Sequence, residues 1–397
     1  MAVEETATVT GIAGPLSNSE LKQLALSFLR LGTIAFGGPA AHIAMMQEEF
    51  VRRRGWVSHA DFLDMLGASN LVPGPSSTEM GIHIGHQRAG WKGLVVAGTC
   101  FILPAMLIVL VCAWAYVKFG SLPQIQGVLY GVKPVIIAVV LQALWVLGRT
   151  AIKRPFLAVV GVCATGLALL GGNVLAILIG AGLIAVAEAL LRARAGSLNL
   201  AALPTIKTLL APASAATGAV TASLGGLFLV FLKFGAVIFG SGYVLLAFLQ
   251  ADLVARLHWL TQGQLLDAVA VAQLPLGPVF TTATFIGYLL GGVPGALVAT
   301  IGIFLPGFLF VAASRPLLAR IRGSRIAGAF LDGVNVGAVA LMIAVTWQLS
   351  RGAVVDLLTA GIAALSAVLL IYARINSAWL IGAGALFGFL GMSRIAG

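Results

Sequence analysis

Charged residues are scarce in this sequence, and their scarcity excludes a water-soluble fold. Only 9% of the 397 residues are charged and 60% are hydrophobic, with a mean hydropathy of +1.04. A soluble domain carries roughly 25% charged residues, so the lipid bilayer must be the solvent for this chain. The charge-free runs 93–117 and 155–187 are long enough for membrane-spanning helices, which need ~20 apolar residues.

Cysteine is also scarce, and its placement excludes a disulfide framework. Cys100, Cys112 and Cys163 all lie within apolar runs and lack metal-ligand spacing. Glu4 and Glu5 stand where a signal peptide would carry basic residues, so we expect no cleavable signal. The sequence has no cofactor fingerprint and no nucleotide-binding motif. We therefore expect no cofactor and no bound metal, and the pattern argues against a membrane-embedded enzyme.

The charge that is present is mostly positive, with a formal net charge of +11. The basic residues stand at the ends of apolar runs, which is typical of the positive-inside rule for membrane proteins. We therefore expect lipid around the protein and no nucleic-acid partner. The positive excess also favours anions near the openings of the protein.

The sequence contains one pattern twice. The matched residues are mostly Gly, Pro, Trp and Arg, in register over more than a hundred residues. At an offset of 203 they include Phe36 with Phe239, Arg53 with Arg256, Trp56 with Trp259 and Gly74-Pro75 with Gly277-Pro278. After a one-residue deletion the offset is 202, where they include Pro104 with Pro306, Gly131 with Gly333 and Trp145 with Trp347. The chain is therefore a duplication.

Loop charge indicates that the two repeats are inverted. The loop after the third apolar segment has Lys118 in the first half but four arginines at 315–325 in the second. In the next loop the basic residues instead cluster in the first half, at 149–154, and only Arg351 stands in the second. The loop that is rich in basic residues is thus a different one in each half, as an inverted repeat requires. This arrangement would place 149–154, 192–207 and 315–325 in the cytoplasm, with an odd number of crossings in each half.

We therefore predict an all-α polytopic membrane protein whose two homologous halves form an inverted-topology repeat. The expected divisions are an N-terminal segment at 1–23, a first repeat at 24–192, a cytoplasmic linker at 193–222 and a second repeat at 223–397. About ten full spans are expected, plus broken or re-entrant helices in each half.

Each half contains a helix that is too short to span. A capping box at Ser58 and Asp61 begins a helix that runs only about 12 residues before Pro73-Gly74-Pro75. The second half repeats this pattern over 261–278. Broken backbone at membrane depth survives only inside protein or beside a watery cavity. We expect a helix that enters the membrane, breaks, and then continues or returns.

Hydroxyl side chains follow both of these breaks. A helix that begins there directs unpaired N–H groups and a positive dipole end into the protein. Two such ends could hold a tetrahedral oxyanion; prolines that only kink packed helices are the alternative. The expected binding residues are Asn70, Pro73, Gly74, Pro75, Ser76, Ser77 and Thr78 in the first half, and Gln273, Gly277, Pro278, Thr281 and Thr282 in the second.

A second glycine-rich break lies in the first apolar segment of each half. Gly37 and Gly38 form it in the first half, and Gly240 and Gly242 form it in the second. These glycines either allow helices to cross closely or provide unwound backbone that lines the site.

Three basic residues stand near or within apolar segments, where charge is costly and indicates function. Arg30 and Lys233 are matched by the repeat and either attract the anion or extend to the interface. Lys133 is isolated in the charge-free stretch around it and is either an anion counter-charge or a partner of Glu79.

Glu79, His83 and His86 follow the first broken motif on neighbouring helical turns. They could relay the coupled proton or form a hydrogen-bonded network that braces the site; a metal site is a weaker third interpretation. Asp64 and Asp267 occur at matched positions, which favours a structural role such as pairing with Arg53 and Arg256.

Both halves resemble the chromate ion transporter (CHR) family in its long-chain, two-domain form. In the first half the similar residues include Phe36 to Pro39, His42, Glu49, Trp56, Asn70, Pro73 to Pro75 and Pro104. In the second half they include Phe239 to Tyr243, Trp259, Gln273, Pro275, Gly277-Pro278, Phe285 to Tyr288 and Phe304 to Pro306. The resemblance implies chromate efflux driven by an ion gradient or membrane potential. Family members often have Gln before and soon after the first Pro-Gly-Pro, near the places where Asn70 and Glu79 stand here.

The sequence therefore predicts a secondary transporter that exports chromate or a sulfate-like oxyanion across a bacterial inner membrane in a multi-pass fold. An oxyanion channel on the same scaffold and a transporter of another small anion are the alternatives. A homodimer is one candidate assembly.

Overall fold

The computed structural model describes residues 18–34, 38–195, 222–239, 242–273, 278–321 and 324–395, and within these ranges all regular structure is helical. The first half contains α1 (Asn18–Ile34), α2 (Gly38–Met46), a π-helix (Gln47–Arg53), α3 (His59–Ser69), α4 (Ser76–Phe119), α5 (Pro123–Ala151), α6 (Pro155–Leu169) and α7 (Val174–Ala195). The all-α prediction is confirmed.

The second half repeats this order. It contains α8 (Leu224–Val237), a 3-10 turn (Gly242–Val244), α9 (Leu245–Phe248), a π-helix (Leu249–Arg256), α10 (Gln262–Gln273), a 3-10 turn (Val279–Thr281), α11 (Thr282–Ile321), α12 (Arg325–Ala353), α13 (Leu357–Ile371) and α14 (Ser377–Ile395). The helices α8, α10, α11 and α12 thus correspond to α1, α3, α4 and α5. The duplication predicted from the sequence is visible as two matching series of helices.

The helices α4 and α11 are each folded back on themselves at a tight turn. Ala89 and Gly90 leave the helical conformation in α4, and Gly90 has a φ of 56°. A Cβ on Gly85, before this turn, would overlap the carbonyl oxygen of Gly93, beyond it, so glycine is required for the two arms to touch. In α11 the turn lies at 291–292. We call the arms α4a (76–88), α4b (91–119), α11a (282–290) and α11b (293–321).

The short arm α4a belongs to a re-entrant hairpin. It is about 20 Å long at ~1.5 Å per residue, which is less than the ~30 Å hydrocarbon core. Asp61, near the start of α3, accepts a hydrogen bond of 3.3 Å from Gln87, near the end of α4a. The chain therefore enters through α3, breaks at 70–75 and returns to the same end. Of the two outcomes left open by the sequence, the returning helix is observed.

Two contacts show that α5 and α12 run antiparallel although they are equivalent helices of the two repeats. Tyr130, early in α5, donates a 2.6 Å hydrogen bond to Asp356, just beyond the end of α12. Lys153, just beyond the end of α5, forms a 2.7 Å ion pair with Asp332, early in α12. Equivalent helices that run in opposite directions define an inverted repeat, so this prediction is confirmed.

The last two helices of each half pack on the other half. Helix α5 packs on α13 and α14, and α12 packs on α6 and α7. A Cβ on Gly131 would overlap the carbonyl oxygen of Gly384, and one on the matched Gly333 would overlap that of Ala181. Backbones approach this closely only where residues are small. The halves are therefore interlocked through α5 and α12.

Five helices in the described residues are long and apolar enough to cross a membrane, namely α4, α5, α7, the helical stretch Val279–Ala313 and α12. Shorter apolar helices are α6, α8, α13 and residues 377–391 of α14. By length and composition the chain is thus a multi-pass membrane protein. The estimate of about ten full spans stays a prediction.

The start of α4b and the end of α7 lie at the same end of the bundle. We call this the first end; it holds Lys153 and Asp332, and the opposite end is the second end. Arg154 pairs with Glu188 at 2.9 Å, which places the end of α7 at the first end. Leu94, near the start of α4b, packs with Val311, late in α11b, which places the start of α4b there too. The odd number of crossings expected in each half stays a prediction. Most of the predicted linker, 196–221, lies outside the described residues.

Candidate functional site

Four chain breaks meet at one cavity between the two halves. The cavity is small, with room for about one water molecule, and it is partly open. Its lining residues are Pro39, Pro75, Ser76 and Ser77 from the first half and Gly242, Pro278, Val279 and Phe280 from the second. Each half thus contributes both of its breaks to the same site.

Proline and glycine determine where the helices stop. Helix α3 ends at Ser69, and Pro75 is the N-cap residue of α4. Proline lacks the N–H that a continuing helix needs and restricts the residue before it. Gly38, with a φ of 79°, starts α2 in a conformation that favours glycine. Pro278 is likewise the N-cap residue of the helical stretch that begins at Val279.

Four helical segments begin beside the cavity and point their N-termini toward it. They start at Gly38, Ser76, Gly242 and Val279, and each of these residues either lines the cavity or precedes a lining residue. The first N–H groups of a helix have no partner within it, and the aligned peptide dipoles make that end positive. The sequence predicted two such termini; the structure brings four together.

A backbone contact joins the breaks of the two halves. The N–H of Gly74 donates a 2.7 Å hydrogen bond to the carbonyl oxygen of Ile238, which follows α8. Gly74 has a φ of 139°, a conformation that side chains rarely adopt. On the opposite wall a Cβ on Gly242 would lie 3.2 Å from the Cβ of Val279. The glycines therefore allow the breaks to approach one another.

The hydroxyl groups differ between the two halves. Thr78 is 1% exposed, and its Oγ1 has no hydrogen-bond partner among the described residues. Ser77 lies 3.3 Å from Nδ1 of the buried His42. By contrast, Thr281 donates to the carbonyl oxygen of Pro278 at 2.9 Å and Thr282 to that of Val279 at 2.6 Å. The hydroxyl group that has no partner among the described residues, that of Thr78, therefore belongs to the first half.

Glu79 is completely buried directly behind the cavity. Both carboxyl oxygens lack a hydrogen-bond partner in the described part of the chain. The carboxyl group lies over Gly74 and close to Gly307 of α11b, where a Cβ would be 3.6 Å from Oε1. Burying an unpartnered charge is costly, so the neutral carboxylic acid is the form that suits this position.

The two histidines do not join Glu79 in a hydrogen-bonded chain. His83 is 8% exposed, and the ring of His86 stands edge-on to Trp91 at 5.8 Å. Because neither oxygen of Glu79 has a partner among the described residues, the predicted bracing network does not include this carboxyl group. The described residues contain no cluster of three potential metal ligands.

The matched basic residues lie beside matched carboxylates. Lys233 and Arg256 both contact Asp252, at 2.6 and 3.0 Å. The corresponding carboxylate of the first half is Glu49. The hydrogen bond from Arg54 is the main reason that the pKa of Glu49 is lowered, and the charges of Arg54, Arg53 and Arg30 add to the effect.

Lys133 has a partner that the sequence did not predict. Its Nζ lies 2.7 Å from Oδ1 of Asp267, so the predicted pairing of Lys133 with Glu79 is wrong. Arg256 is occupied by Asp252, so the predicted pairing of Arg256 with Asp267 is also wrong.

The remaining predicted residues lie at different distances from the cavity. Asn70 is the exposed C-cap residue of α3. Gln273 ends α10; its side chain hydrogen-bonds Tyr243, and its Nε2 has no partner within the described ranges. Pro73 lies in the break itself. Gly37, Gly240 and Gly277 lie outside the described residues.

Val279, Phe280 and Gly307 were missed by sequence reasoning. The offset of 203 places Val279 and Phe280 opposite Ser76 and Ser77, and that correspondence could have found them. Gly307 could not have been found, because only the packing of α11b brings it to Glu79.

The fold and the site define a multi-pass membrane protein with a cavity at the interface of two inverted repeats, beside the first residues of four helical segments. The Chromate transporter family model matches residues 22–186 and 225–389, once in each half. The chromate transport protein of Cupriavidus metallidurans is 32% identical over 397 residues, which cover 96% of each chain. That of Pseudomonas aeruginosa is 33% identical over 97% of this chain and 95% of the relative. A probable chromate transport protein of Synechococcus elongatus is 32% identical over 85% of this chain and 87% of its own. No solved structure matches.

These matches identify the particular family. The chain belongs to the chromate transporter family, in the form that carries the family domain twice.

Proposed function

We propose that this protein exports chromate, or a sulfate-like tetrahedral oxyanion, across a bacterial inner membrane as a secondary transporter. The observation that carries the proposal is the convergence of four helical N-termini on one cavity between inverted repeats. In membrane transporters, broken helices at the repeat interface bind substrate with these positive ends.

The charge at the cavity suits a dianion. Each helix N-terminus is equivalent to roughly +0.5 charge, so four together supply about +2, which would balance a doubly charged anion such as chromate. The lining side chains are Pro, Ser, Gly, Val and Phe, none of which carries a charge. The backbone at the helix N-termini would compensate the charge of the substrate, and no Lys or Arg side chain would need to contact it.

We assign the residues around the cavity according to their position. Ser76, Ser77 and Thr78 provide hydroxyl donors, and the backbones of residues 73–75 and of Pro278 shape the site. Asn70, Gln273, Thr281 and Thr282 support the break ends. Carboxylates lie beside Arg30, Lys233 and Lys133. We therefore assign these three basic residues a long-range attraction of the anion and no direct contact with it.

We assign the coupled proton to Glu79, with His83 and His86 on the path to the first end. A neutral Glu79 leaves the positive helix ends free for the anion, whereas an ionised Glu79 would compete with the anion for them. Proton movement and anion binding are then linked through one carboxyl group. The membrane potential is the other source of energy.

The charge distribution supports an orientation with the first end in the cytoplasm. Basic residues near that end include Arg54, Arg88, Lys92, Lys153, Arg154 and Arg325. Cytoplasmic loops are enriched in Lys and Arg. Under this orientation α3 and α4a face the cytoplasm, and α10 and α11a face outward.

Uptake of radiolabelled chromate into everted membrane vesicles tests the proposal. Accumulation that collapses when an uncoupler is added supports an energised exporter, and competition by unlabelled sulfate measures its selectivity. Flux that does not saturate and only equilibrates the anion indicates a channel instead. If correctly inserted protein gives no more uptake than control vesicles, the proposal is refuted.

A further inference from the structure

A buried ion pair joins α10 of the second half to two helices of the first half. Asp267 of α10 lies 2.7 Å from Nζ of Lys133 on α5. Its other oxygen accepts a 2.7 Å hydrogen bond from the hydroxyl of Tyr116 on α4b. The exposed fractions of the Lys133 and Asp267 side chains are only 20% and 10%. We call Tyr116, Lys133 and Asp267 the α10 cluster.

The pseudo-symmetric position in the first half has lost this cluster. Asp64 corresponds to Asp267 but is exposed on α3. Lys133 corresponds to Asn335 and Tyr116 to Leu318. At the first end of the bundle, where α3 begins, Asp61 accepts an exposed 3.3 Å hydrogen bond from Gln87. The combination of Tyr, Lys and Asp in the α10 cluster is therefore not repeated at the matched positions.

The position of α10 connects the cluster to the cavity. Helix α10 begins at the second end, where Gln262 donates a 2.6 Å hydrogen bond to the carbonyl oxygen of Gln348. It ends at Gln273, and the chain reaches the cavity again at Pro278. Any opening of the cavity toward the second end by movement of α10 must separate Asp267 from Lys133 and Tyr116.

We propose that the α10 cluster is a latch that keeps the cavity closed toward the second end, and that Lys133, Asp267 and Tyr116 are positioning residues for transport. In a low-dielectric interior, separated charges lose an attraction that water does not replace. The closed state is thus favoured on this side. This inference rests on the proposed function only in treating the cavity as the transport site. It adds a gate between that cavity and the second end.

Thiol labelling tests the latch without any transported anion, so its failure is distinguishable from failure of the proposed function. The three native cysteines are replaced by serine, and Val279→Cys places a single thiol on the cavity wall. A membrane-impermeant methanethiosulfonate is then added to right-side-out or everted vesicles. Lys133→Gln with Asp267→Asn removes both charges together, which leaves neither charge buried without a partner.

We expect the double variant to raise the labelling rate more than tenfold from the face at the second end only. Tenfold corresponds to ~1.4 kcal/mol in the opening equilibrium. Lys133→Arg, which keeps the charge, should label at the parent rate. Lys153→Gln with Asp332→Asn is the matched control, because that pair also joins the halves at 2.7 Å but α10 does not contribute to it.

An unchanged rate in the double variant overturns the proposal, and so does an equal rise from both faces, which would mean general loosening. If the double variant fails to insert, Tyr116→Phe replaces it, since it removes one hydroxyl and no charge. It should raise labelling from the second end by a smaller factor. No rise in Tyr116→Phe would then count against the latch.

Discussion

Gly74→Ala is expected to destabilise the protein through two separable effects. Gly74 has a φ of 139°, and a residue with a Cβ costs about 1–3 kcal/mol in such a sparsely populated region. The new Cβ would also overlap Oε1 of Glu79, and moving that side chain off its rotamer costs about 0.5–1.5 kcal/mol. We therefore expect a total loss of about 1.5–4.5 kcal/mol in the free energy of unfolding.

A double-mutant cycle separates these effects. In a Glu79→Ala background the overlap is removed, so Gly74→Ala should cost only the backbone contribution of about 1–3 kcal/mol. Gly90→Ala is the matched control, because Gly90 also has a positive φ of 56° but nothing lies within 4 Å of its Cβ position. Denaturant unfolding in mixed micelles measures all four variants and the control. If Gly74→Ala costs the same with and without the Glu79 side chain, the contact between these residues is not as described.

Three further variants test the site and one helix cap. Thr78→Leu replaces a hydroxyl that has no partner among the described residues by a bulkier apolar group and should abolish anion flux, whereas Thr359→Ser, far from the cavity, should not. Normal flux in correctly inserted Thr78→Leu refutes the proposed role of the Thr78 hydroxyl in anion binding. Glu79→Gln keeps the shape of the side chain but cannot release a proton, so transport should lose its dependence on pH; a retained pH profile leaves Glu79 a packing role. The backbone N–H of Thr359 and the hydroxyl of Tyr130 lower the pKa of Asp356. Ionised Asp356 therefore stabilises the fold above its unfolded pKa of about 3.9. This stabilisation is lost as pH falls through the lower pKa of the folded state. Asp356→Asn should remove this acid-dependent loss from the thermal unfolding midpoint, and an unchanged acid profile would contradict the assignment.

Composition and internal repetition predicted most of the fold. Apolar runs require helices in a bilayer, and the change of basic content between equivalent loops indicated inversion before any contact was known. The contacts of Tyr130 with Asp356 and Lys153 with Asp332 then showed the antiparallel arrangement directly. The turn inside α4 could not be predicted, because it depends on the close contact of Gly85 with Gly93 across Ala89 and Gly90, which no local pattern indicates.

The candidate site was predicted in part, since proline and glycine mark chain breaks wherever they occur. The motif around Pro73 to Pro75 indicated a break, but no local pattern says that all four breaks meet. Partners of buried charges were the least predictable feature. Lys133 and Asp267 are 134 positions apart, and they meet only because α10 of one half packs against α5 of the other.

The distribution of close backbone contacts limits which parts can move during transport. Glycine contacts join α1 to α4b, where a Cβ on Gly32 would overlap the carbonyl oxygen of Phe101, and they join α5 to α14 at Gly131 and Gly384. Such contacts leave no room for sliding, so these helices form a fixed frame. Helices α3 and α10 are held by side chains instead, through Asp61 and through Asp267. We infer that alternate opening of the cavity comes from α3 at the first end and α10 at the second, and not from rocking of one whole half, which would have to separate interlocked helices.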